Sequence, residues 1–511
     1  MTAVGLVMAP GAPWHNRFAA RLARAVADAL AADPRVALQV SADLDRAPLP
    51  ADSAVVLNLS AQDDDAVRRR LPAGARLVTL RYLEQDHAHQ ALVALPLPQL
   101  WARPALVPGQ RAVLAPPALL ALELRDHAGG LLARWEGRAH RKRAGRAVEA
   151  LLHGAPLLVA DALATHALAT HALATHALAA HTRGQARPAH ALVPTVSAPF
   201  RAHVDGGVLP TALRYGAHLL RDTVVRRWRP DEADQWAIGV APVDGALEPR
   251  PEAIRWLHPP ADRGFADPFL FKWQGARWLF FEEVPHQGGH GVIAALPVEA
   301  DGTGDPAARR EVLRHPHHLS FPTLHAVDGA LYLLCEEGSA GVVRLHRCVR
   351  FPDRWEPLPP LLDGVAGADP VLWHHDGHWY LFVTDARGGN HDNHLQLHVA
   401  PALHGPWRRH PASPIRHGLD GSRMAGAILE APGGPYRLGQ ACARRYGGAI
   451  HLYAIEAISP DDYRERFVRS LDPVRGSRYP LARHTHARLD GLVALDGVRT
   501  MPLQARVRPA R

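Results

Sequence analysis

Three stretches in the second half of the chain repeat one pattern of apolar and polar positions. They read "ADPFLFKWQGARWLFFEE" from Ala266, "SFPTLHAVDGALYLLCEE" from Ser320 and "ADPVLWHHDGHWYLFVTD" from Ala368. In each stretch a glycine stands seven residues after a proline, and an aromatic residue stands three residues after the glycine. Two apolar runs separated by a glycine turn are typical of two strands joined in a hairpin.

Two weaker copies follow, "AGAILEAPGGPYRLGQA" from Ala425 and "RHTHARLDGLVALDG" from Arg483. The five copies begin roughly 50 residues apart, and self-similarity at such a period indicates a propeller or a repeat array. The residues between the copies supply a third and a fourth strand for each unit, which makes a four-stranded blade. We therefore predict an all-β five-bladed β-propeller over residues 231–505.

The first part of the chain has a different pattern. Buried strands are predicted in "AVGLVMA", "SAVVLNLS" and "ARLVTLRYL", and "WHNRFAARLARAVADALAA" has apolar residues at helical spacing. Strands that alternate with a helix indicate an α/β domain, which we place at residues 1–160. The sequence contains no GxGxxG or Walker loop, so a phosphate-binding glycine loop has no support, and we assign no cofactor to the chain.

A pentapeptide repeat, "ALATHALATHALATHALAAH", fills residues 162–181 and places four histidines at His166, His171, His176 and His181. A step of five residues turns a helical side chain by about 140°, so these histidines spread around a helix axis and do not converge on a metal. We predict a linker over residues 161–230 and no metal site there. The histidines of "GGNHDNHLQLH" lie in a predicted strand, and we expect no metal site there either.

The column before the repeated proline holds the candidate chemistry. Its members in the five copies are Asp267, Phe321, Asp369, Ala425 and Arg483. In a propeller the inner strands line a central channel, so carboxylates at matched positions of two blades can form one acid/base or sugar-binding site. The alternative is that each aspartate caps its own turn.

Further polar residues are expected near the same end of the blades and are candidates for binding a sugar or a phosphate. They are His318, Ser320, Arg423, Gln440 and His484. Each of them is also compatible with a surface or turn position. The glutamates seven and eight residues after the turn glycine end the second strand, and we expect them to lie far from the aspartates. They are Glu282, Glu283, Glu336 and Glu337.

The stretches "FADPFLF", "HLSFPTL", "ADPVLWHHDGHWYLF", "HGPWRRHPASPI" and "HTHARLDGLVALDG" resemble the propeller-like N-terminal domain of glucosamine inositolphosphorylceramide transferase. That domain is similar to five-bladed furanosidase-type glycoside hydrolases. The resemblance implies that Asp267 corresponds to the catalytic base and Asp369 to the aspartate that orients and tunes. The position of the general acid, a glutamate in those hydrolases, holds Met424, which cannot donate a proton.

The N-terminal strands, with "LELRDHAGGLLARWEG", resemble a formyltransferase-like domain. The Asn-His-Asp catalytic set of that family is not recognisable, because Asn58 in "LNLS" lacks the following histidine motif. We expect a degenerate domain that has kept its fold and lost its chemistry.

The charge of the chain changes this interpretation little. The formal net charge is +8, and arginine carries it, because Lys142 and Lys272 are the only lysines. No arginine-rich run with interleaved aromatic residues suggests a nucleic-acid groove, so we expect no nucleic-acid partner. Three unpaired cysteines favour a reducing compartment, and we expect a cytoplasmic, bacterial-type protein without a transmembrane segment.

Together these observations predict a carbohydrate-active or sugar-binding propeller protein that acts in surface polysaccharide or glycolipid synthesis. Its ligand would be a sugar or a glycolipid, with or without a phosphate. The alternatives are a furanosidase-like hydrolase with a relocated acid and a non-enzymatic scaffold. Whether the chain is an enzyme, and its oligomeric state, are left open.

Overall fold

The computed structural model describes residues 232–243, 247–386, 391–431, 433–443 and 445–502, together with six strands and a few short segments of the first 231 residues. The chain divides into two compact units. The first comprises Met1–His218, Arg387–Asn393 and Arg416–Gly418, and the second comprises Leu219–Ala386, His394–Ile415 and Leu419–Arg511.

The first unit contains one six-stranded sheet. Its strands are β1 (Thr2–Met8), β2 (Val36–Ser41), β3 (Val55–Leu59), β4 (Arg76–Tyr82), β5 (Leu119–Asp126) and β6 (Leu131–Arg138), in the order β2-β1-β3-β4-β5-β6. The first four strands pair in parallel, whereas β4–β5 and β5–β6 are antiparallel. The strands predicted from the sequence are observed, and β2 is one that the sequence analysis did not predict.

Most of the predicted helix between β1 and β2 lies outside the described residues, although residues 26–28 are helical. The histidine repeat at residues 162–181 lies entirely outside them. The sheet is therefore described, and the α/β layering of residues 1–160 stays a prediction.

The second unit consists of five antiparallel sheets and is a five-bladed β-propeller, as predicted. Two strands precede the first complete blade: β7 (Glu232–Pro242) and β8 (Arg255–Leu257). Blade one contains β9 (Arg263–Trp273), β10 (Ala276–Pro285), β11 (Val292–Val298) and β12 (Arg310–Leu313). Blade two contains β13 (Ser320–Val327), β14 (Ala330–Glu336), β15 (Val342–Arg350) and β16 (Arg354–Asp363).

Blades three to five complete the series. Blade three contains β17 (Gly367–His375), β18 (His378–Asp385), β19 (His394–Ala400) and β20 (Arg408–Arg409), and the short strand β21 (Arg416–His417) follows it in the chain. Blade four contains β22 (Asp420–Met424), β23 (Leu429–Ala431), β24 (Gly434–Ala441), β25 (Ile450–Ile458) and β26 (Tyr463–Leu471). Blade five contains β27 (His486–Leu489) and β28 (Leu492–Pro502), together with β7 and β8.

The tight turns follow from the residues at the repeated glycine. Asp376 and Gly377 have φ values of 45° and 73°, and Asp490 and Gly491 have φ values of 47° and 77°. A two-residue hairpin turn with both central residues at positive φ has the twist of the flanking strands, and aspartate followed by glycine tolerates this backbone best. The glycine of each repeat is therefore required by the turn itself.

The fifth blade is closed by strands from both ends of the propeller. Strand β28 pairs with β7 along the full length of both strands, from Leu492 opposite Pro242 to Pro502 opposite Glu232. The sheet order is β27-β28-β7-β8. Because the earliest strands complete the last blade, the ring is held shut by main-chain hydrogen bonds, and the sheet edges that an open array would expose are paired.

Apolar side chains fill the spaces between successive blades. Phe265 and Ile238 share a cluster between blades one and five, Phe280 and Leu331 share one between blades one and two, and Leu334 packs with residues of blade three. The alternating pattern of each strand thus places one face against each neighbouring blade. The helices described in this unit are single 3₁₀ turns, and none in the described part of the chain is long and apolar enough to cross a membrane.

Candidate functional site

The two aspartates of the repeat column lie near the start of the innermost strands of blades one and three. Asp267 has φ 52° and Asp369 has φ 46°, and Phe321 at the matched position of blade two has φ 54°. The pairing register shifts in all three hairpins close to these residues. Positive φ is uncommon outside glycine and clusters at functional sites, and aspartate tolerates it better than most residues.

Asp267 belongs to a cluster that we call the blade-one group, which consists of Asp267, His484, Thr485 and Asp496. The Thr485 hydroxyl donates to Asp267 Oδ1 at 2.7 Å. Asp496 Oδ2 lies 2.5 Å from His484 Nδ1 and accepts the main-chain N–H of Asp267 at 3.3 Å. His484 Nδ1 is 3.8 Å from Asp267 Oδ1. A single histidine thus provides positive charge to two buried carboxylates.

Asp369 belongs to a second cluster, the blade-three group, which consists of Asp369, Glu336, Arg423 and Gln440. Arg423 contacts both oxygens of Asp369, with Nε 2.5 Å from Oδ2 and Nη2 3.1 Å from Oδ1. The same Nη2 lies 3.2 Å from Glu336 Oε2, which accepts the Asp369 N–H at 3.0 Å. Gln440 donates to Asp369 Oδ2 at 2.7 Å. A two-point arginine contact of this kind fixes the plane of the carboxylate.

The two groups are electrostatically and sterically connected, and we call them together the mouth. The charge of Asp369 contributes to the raised pKa values of Asp267 and His484. The Tyr446 ring contacts the His484 ring, with centroids 5.4 Å apart, and lies 5.2 Å from Arg423 Cζ. The predicted pairing of the two aspartates therefore has a physical basis.

Burial changes the acidity of both aspartates. It raises the pKa of Asp267 to about 7, against the opposing charge of His484. It also raises the pKa of Asp369 to about 7, although Arg423 favours the charged form. For His484, burial disfavours the charged form, but Asp496 and Asp267 outweigh it and raise the pKa to about 9. Near neutral pH the mouth therefore contains a charged histidine and two carboxyl groups close to their titration points.

Two other predicted site residues lie beside these groups. His318 Nε2 is 3.1 Å from Glu282 Oε1, and its Nδ1 accepts the N–H of Gly291 at 3.1 Å. The bond to Glu282 raises the pKa of His318 to about 9, whereas the Gly291 contact requires an unprotonated Nδ1. In the neutral ring the proton therefore lies on Nε2, where it is donated to Glu282. Ser320 is buried opposite Glu336 in the β13–β14 pair.

The prediction that the strand-end glutamates lie far from the aspartates is wrong for Glu282 and Glu336. The two inner strands of a blade are antiparallel, so the end of the second strand lies alongside the start of the first. Glu282 accordingly pairs with Ala266, next to Asp267, and Glu336 reaches Asp369 of the following blade. The glutamates that follow them in the chain point to the opposite side and make other contacts. Glu283 binds Arg263 and Arg309, and Glu337 lies among the histidines of blade two.

Met424, at the position that the resemblance assigns to a general acid, is fully buried. It packs in an apolar cluster with Phe269 and Phe321, and its carbonyl accepts a hydrogen bond from Gln440 at 2.9 Å. The Met424 carbonyl therefore positions Gln440 in the mouth, while the Met424 side chain is part of the apolar core.

An aromatic surface borders the mouth, and the sequence analysis did not predict it. Trp236 stacks on His484 with ring centroids 4.0 Å apart, and Tyr446 meets Trp236 edge-on at 6.4 Å. Both rings are partly exposed. Partly exposed aromatic rings beside a few polar groups are typical of ligand pockets. Trp236 lies in β7, which joins the fifth blade from far away in the sequence, and no local signal marks it.

The mouth also contains three ligand-type side chains within 4.8 Å of one another, Asp267, His484 and Asp496. The short contact between His484 and Asp496 and the Thr485 bond to Asp267 already use these atoms. We therefore interpret the group as an ion-paired network.

Comparison with known proteins gives a family match for part of the chain. Residues 260–479 match the family model described as glucosamine inositolphosphorylceramide transferase 1, N-terminal. The chain is 31% identical over 207 residues to glucosamine inositolphosphorylceramide transferase 1 of Arabidopsis thaliana, covering 39% of this chain and 26% of that protein. The Oryza sativa subsp. indica protein of the same name is 30% identical over 269 residues, covering 46% and 35%. The chain thus spans about a quarter to a third of the length of these relatives.

Solved structures with some likeness include Zg3597, a family 117 glycoside hydrolase of Zobellia galactanivorans. It has 12% identity and a TM-score of 0.34, covering 54% of this chain and 93% of that chain. A thermostable family-43 glycoside hydrolase has 14% identity and a TM-score of 0.31, covering 42% and 78%. Both scores are low.

Proposed function

We propose that the mouth of the propeller binds a sugar, and that Asp267 and Asp369 accept its hydroxyl groups. The observation that carries the proposal is the pair of buried carboxylates at matched positions of blades one and three, each oriented by its own set of donors. A carboxylate accepts several hydrogen bonds, which suits a ligand rich in hydroxyl groups. Trp236 and Tyr446 add apolar faces against which a sugar ring can pack. The family match supports a sugar-related propeller.

The charge of the mouth narrows the ligand class. Four carboxylates, those of Asp267, Glu336, Asp369 and Asp496, face two cations, Arg423 and His484, and both cations are already engaged by carboxylates. An additional anion would meet uncompensated negative charge as soon as the aspartates ionise. We therefore favour a neutral or amino sugar at the aspartates, and place any phosphate of a phosphorylated ligand outside the mouth.

The same contacts make binding a better proposal than efficient hydrolysis. A glycosidase needs a proton donor for the leaving oxygen, and that step is worth about 10²–10⁴-fold in rate. Met424 is buried in the core, and Glu336 Oε2 is already engaged by Arg423 and by the Asp369 N–H. The position of the expected acid therefore lacks a competent donor.

One observation favours the furanosidase-like alternative. A carboxyl group with a pKa of about 7 is half protonated at neutral pH and can act as a general acid, and both Asp267 and Asp369 have such a value. Efficient cleavage of an unactivated furanoside by the wild type, lost in Asp267→Asn, would establish the hydrolase and contradict the binding proposal.

We extend the proposal to surface polysaccharide or glycolipid synthesis in the cytoplasm, because the matching family is named for a transferase. The formyltransferase-like identity of residues 1–160 belongs to the same proposal. The remaining alternative is a scaffold that binds no sugar, and titration with sugars distinguishes it from the proposed sugar-binding protein.

The test is a titration of the full chain with glucosamine, galactose, arabinose and glucose 6-phosphate, followed by ligand-observed NMR and calorimetry. We expect a neutral or amino sugar to bind, and Asp369→Asn to weaken that binding at least tenfold. The matched control is Asp376→Asn in the same blade, because Asp376 also has positive φ but is exposed in the hairpin turn. Equal affinities in wild type, Asp369→Asn and control, or binding of glucose 6-phosphate alone, would overturn the proposal.

A further inference from the structure

A second cluster of titratable side chains lies in blade two, and the mouth does not use it. Its members are His315, His317, Glu337, Arg344 and His346, which we call the blade-two cluster. The two histidines at 315 and 317 precede β13, Glu337 follows β14, and Arg344 and His346 lie in β15. Three separate segments of the blade thus converge on one carboxylate.

The two oxygens of Glu337 have different surroundings. Oε2 lies 3.1 Å from His317 Nε2 and 3.3 Å from Arg344 Nε, so it is held from two sides. Oε1 is buried and has no hydrogen-bond partner among the described atoms, although His346 Nε2 lies 3.5 Å away. The Glu337 side chain has 0% exposure. A buried carboxylate oxygen without a partner is costly to the folded state unless something binds it.

Two imidazole nitrogens face the same place. His315 Nε2 and His346 Nε2 are 3.1 Å apart, and with a Glu337 oxygen they form a set of ligand atoms within 4.8 Å of one another. Ligands at 2.0–2.1 Å around a tetrahedral zinc ion are separated by about 3.3 Å. The 3.1 Å and 3.5 Å separations fall on either side of that value, and the third pair of ligand atoms lies within 4.8 Å, so the three side chains are close enough to bind one ion.

We infer that His315, Glu337 and His346 form a binding site for a divalent transition-metal ion of the Zn²⁺ class, with Glu337 Oε1 as a monodentate ligand. Two imidazoles and one carboxylate with a further open position are a donor set that zinc accepts. His317 and Arg344 would orient the carboxylate through Oε2, as partners outside the ligand shell commonly do.

The exposure of the two imidazoles indicates the side from which an ion would enter. His346 is fully buried, whereas His315 is partly exposed, so the open position and the entry path lie on the His315 side. The Arg344 charge opposes a cation, but it lies at Oε2, on the other oxygen from the proposed bond.

The site would also couple two parts of blade two. Glu337 follows Glu336 of the mouth in the chain, and His317 precedes His318. Neighbouring side chains of an extended chain point to opposite sides. A metal bound by Glu337 would therefore also hold the backbone position of Glu336, which contacts Asp369 and Arg423. The metal inference itself is independent of sugar binding.

The test is direct metal binding by the full chain after treatment with a chelator. We expect Co²⁺ to give the intense visible bands of a four-coordinate site, and Zn²⁺ to displace it at one equivalent. Zn²⁺ should also raise the melting temperature, since a ligand that binds only the folded state stabilises it. His315→Ala, which changes a partly exposed residue, and Glu337→Gln should each lower Zn²⁺ affinity at least about 100-fold, beyond the 10–100-fold typical of residues outside the ligand shell.

Two controls separate this site from other histidines. Glu283→Gln changes the matched buried glutamate of blade one, and His404→Ala changes an exposed histidine; both should leave the Co²⁺ bands unchanged. A variant with the four histidines of residues 162–181 changed to alanine should also keep them. Absence of the bands in the wild type, their survival in both His315→Ala and Glu337→Gln, or their loss in the repeat variant would each overturn the inference.

Discussion

The two aspartates of the mouth have the same backbone and different chemistry. Both have positive φ at the start of an inner strand, and the N–H of each is held by a carboxylate. Asp267 is balanced by His484, a cation whose charge depends on pH, whereas Asp369 is balanced by Arg423, whose charge does not. The repeat therefore sets the positions of the two groups, and residues outside the repeat set their protonation.

Removing the permanent cation should have the largest effect. Arg423→Gln leaves Asp369 and Glu336 buried without a charge partner, and breaking a buried ion pair in this way costs about 3–5 kcal/mol. At pH 8 the free energy of unfolding should fall by that amount. Denaturant titration measures it. Arg350→Gln, at an exposed ion pair, is the control and should change stability by less than about 1 kcal/mol. Equal losses of stability in the two variants would contradict the buried ion pairs of the blade-three group.

The next effect is a pH dependence that Asp369 should carry. An aspartate with a higher pKa in the folded state binds more protons when folded, so its contribution to stability falls as pH rises, here between about pH 4 and about pH 7. The unfolding free energy of the wild type relative to Asp369→Asn should therefore fall over this range, by up to about 4 kcal/mol at 1.36 kcal/mol per unit.

The difference between wild type and variant is the quantity to measure. Buried neutral histidines such as His346 and His486 have lowered pKa values and destabilise the fold below about pH 6.5, which acts in the opposite sense on total stability. Asp376→Asn, at an exposed position in the hairpin turn of the same blade, is the control. A flat difference for Asp369→Asn would show that Asp369 is ionised throughout.

The smallest effects concern the neutral donors, which offer a matched pair. Thr485 donates to Asp267 and Gln440 donates to Asp369. Hydrogen bonds to charged groups are worth about 1.5–3 kcal/mol. Thr485→Val should destabilise the protein more at pH 9 than at pH 5, because Asp267 is charged only at the higher pH.

Gln440→Met should show the same trend with a smaller amplitude, since Arg423 continues to bind Asp369. Chemical denaturation at the two pH values tests both variants. If Gln440→Met were the more pH-dependent of the two, the proposed difference between histidine and arginine partners would be wrong.

The sequence predicted the propeller because its turns are chemically constrained. The glycine of each hairpin has positive φ, and it follows the proline of the inner strand at a constant spacing, so the repeat is visible in one chain. Closure of the fifth blade by β7 was not predicted, because strand pairing across the whole propeller leaves no local pattern.

The site was predicted only in part for a similar reason. Asp267 and Asp369 share a column of the repeat, whereas Glu336 and Tyr446 reach the mouth through contacts between blades, and Trp236 reaches it because β7 pairs into blade five. The prediction for Glu336 was wrong because antiparallel pairing brings the end of the second strand beside the start of the first. The sequence analysis did not predict the blade-two cluster, because its histidines and its glutamate come from separate segments and form no local motif.

The closure of blade five also has a consequence during synthesis. Strand β7 cannot pair with β28 until about 250 further residues have been translated, which takes roughly 12–50 s at 5–20 residues per second. Throughout that time β7 presents a free edge and the apolar face that later packs on Phe265. A nascent chain of this protein therefore has a long interval in which a chaperone, or a second nascent chain on the same message, can occupy the place of its own last strand.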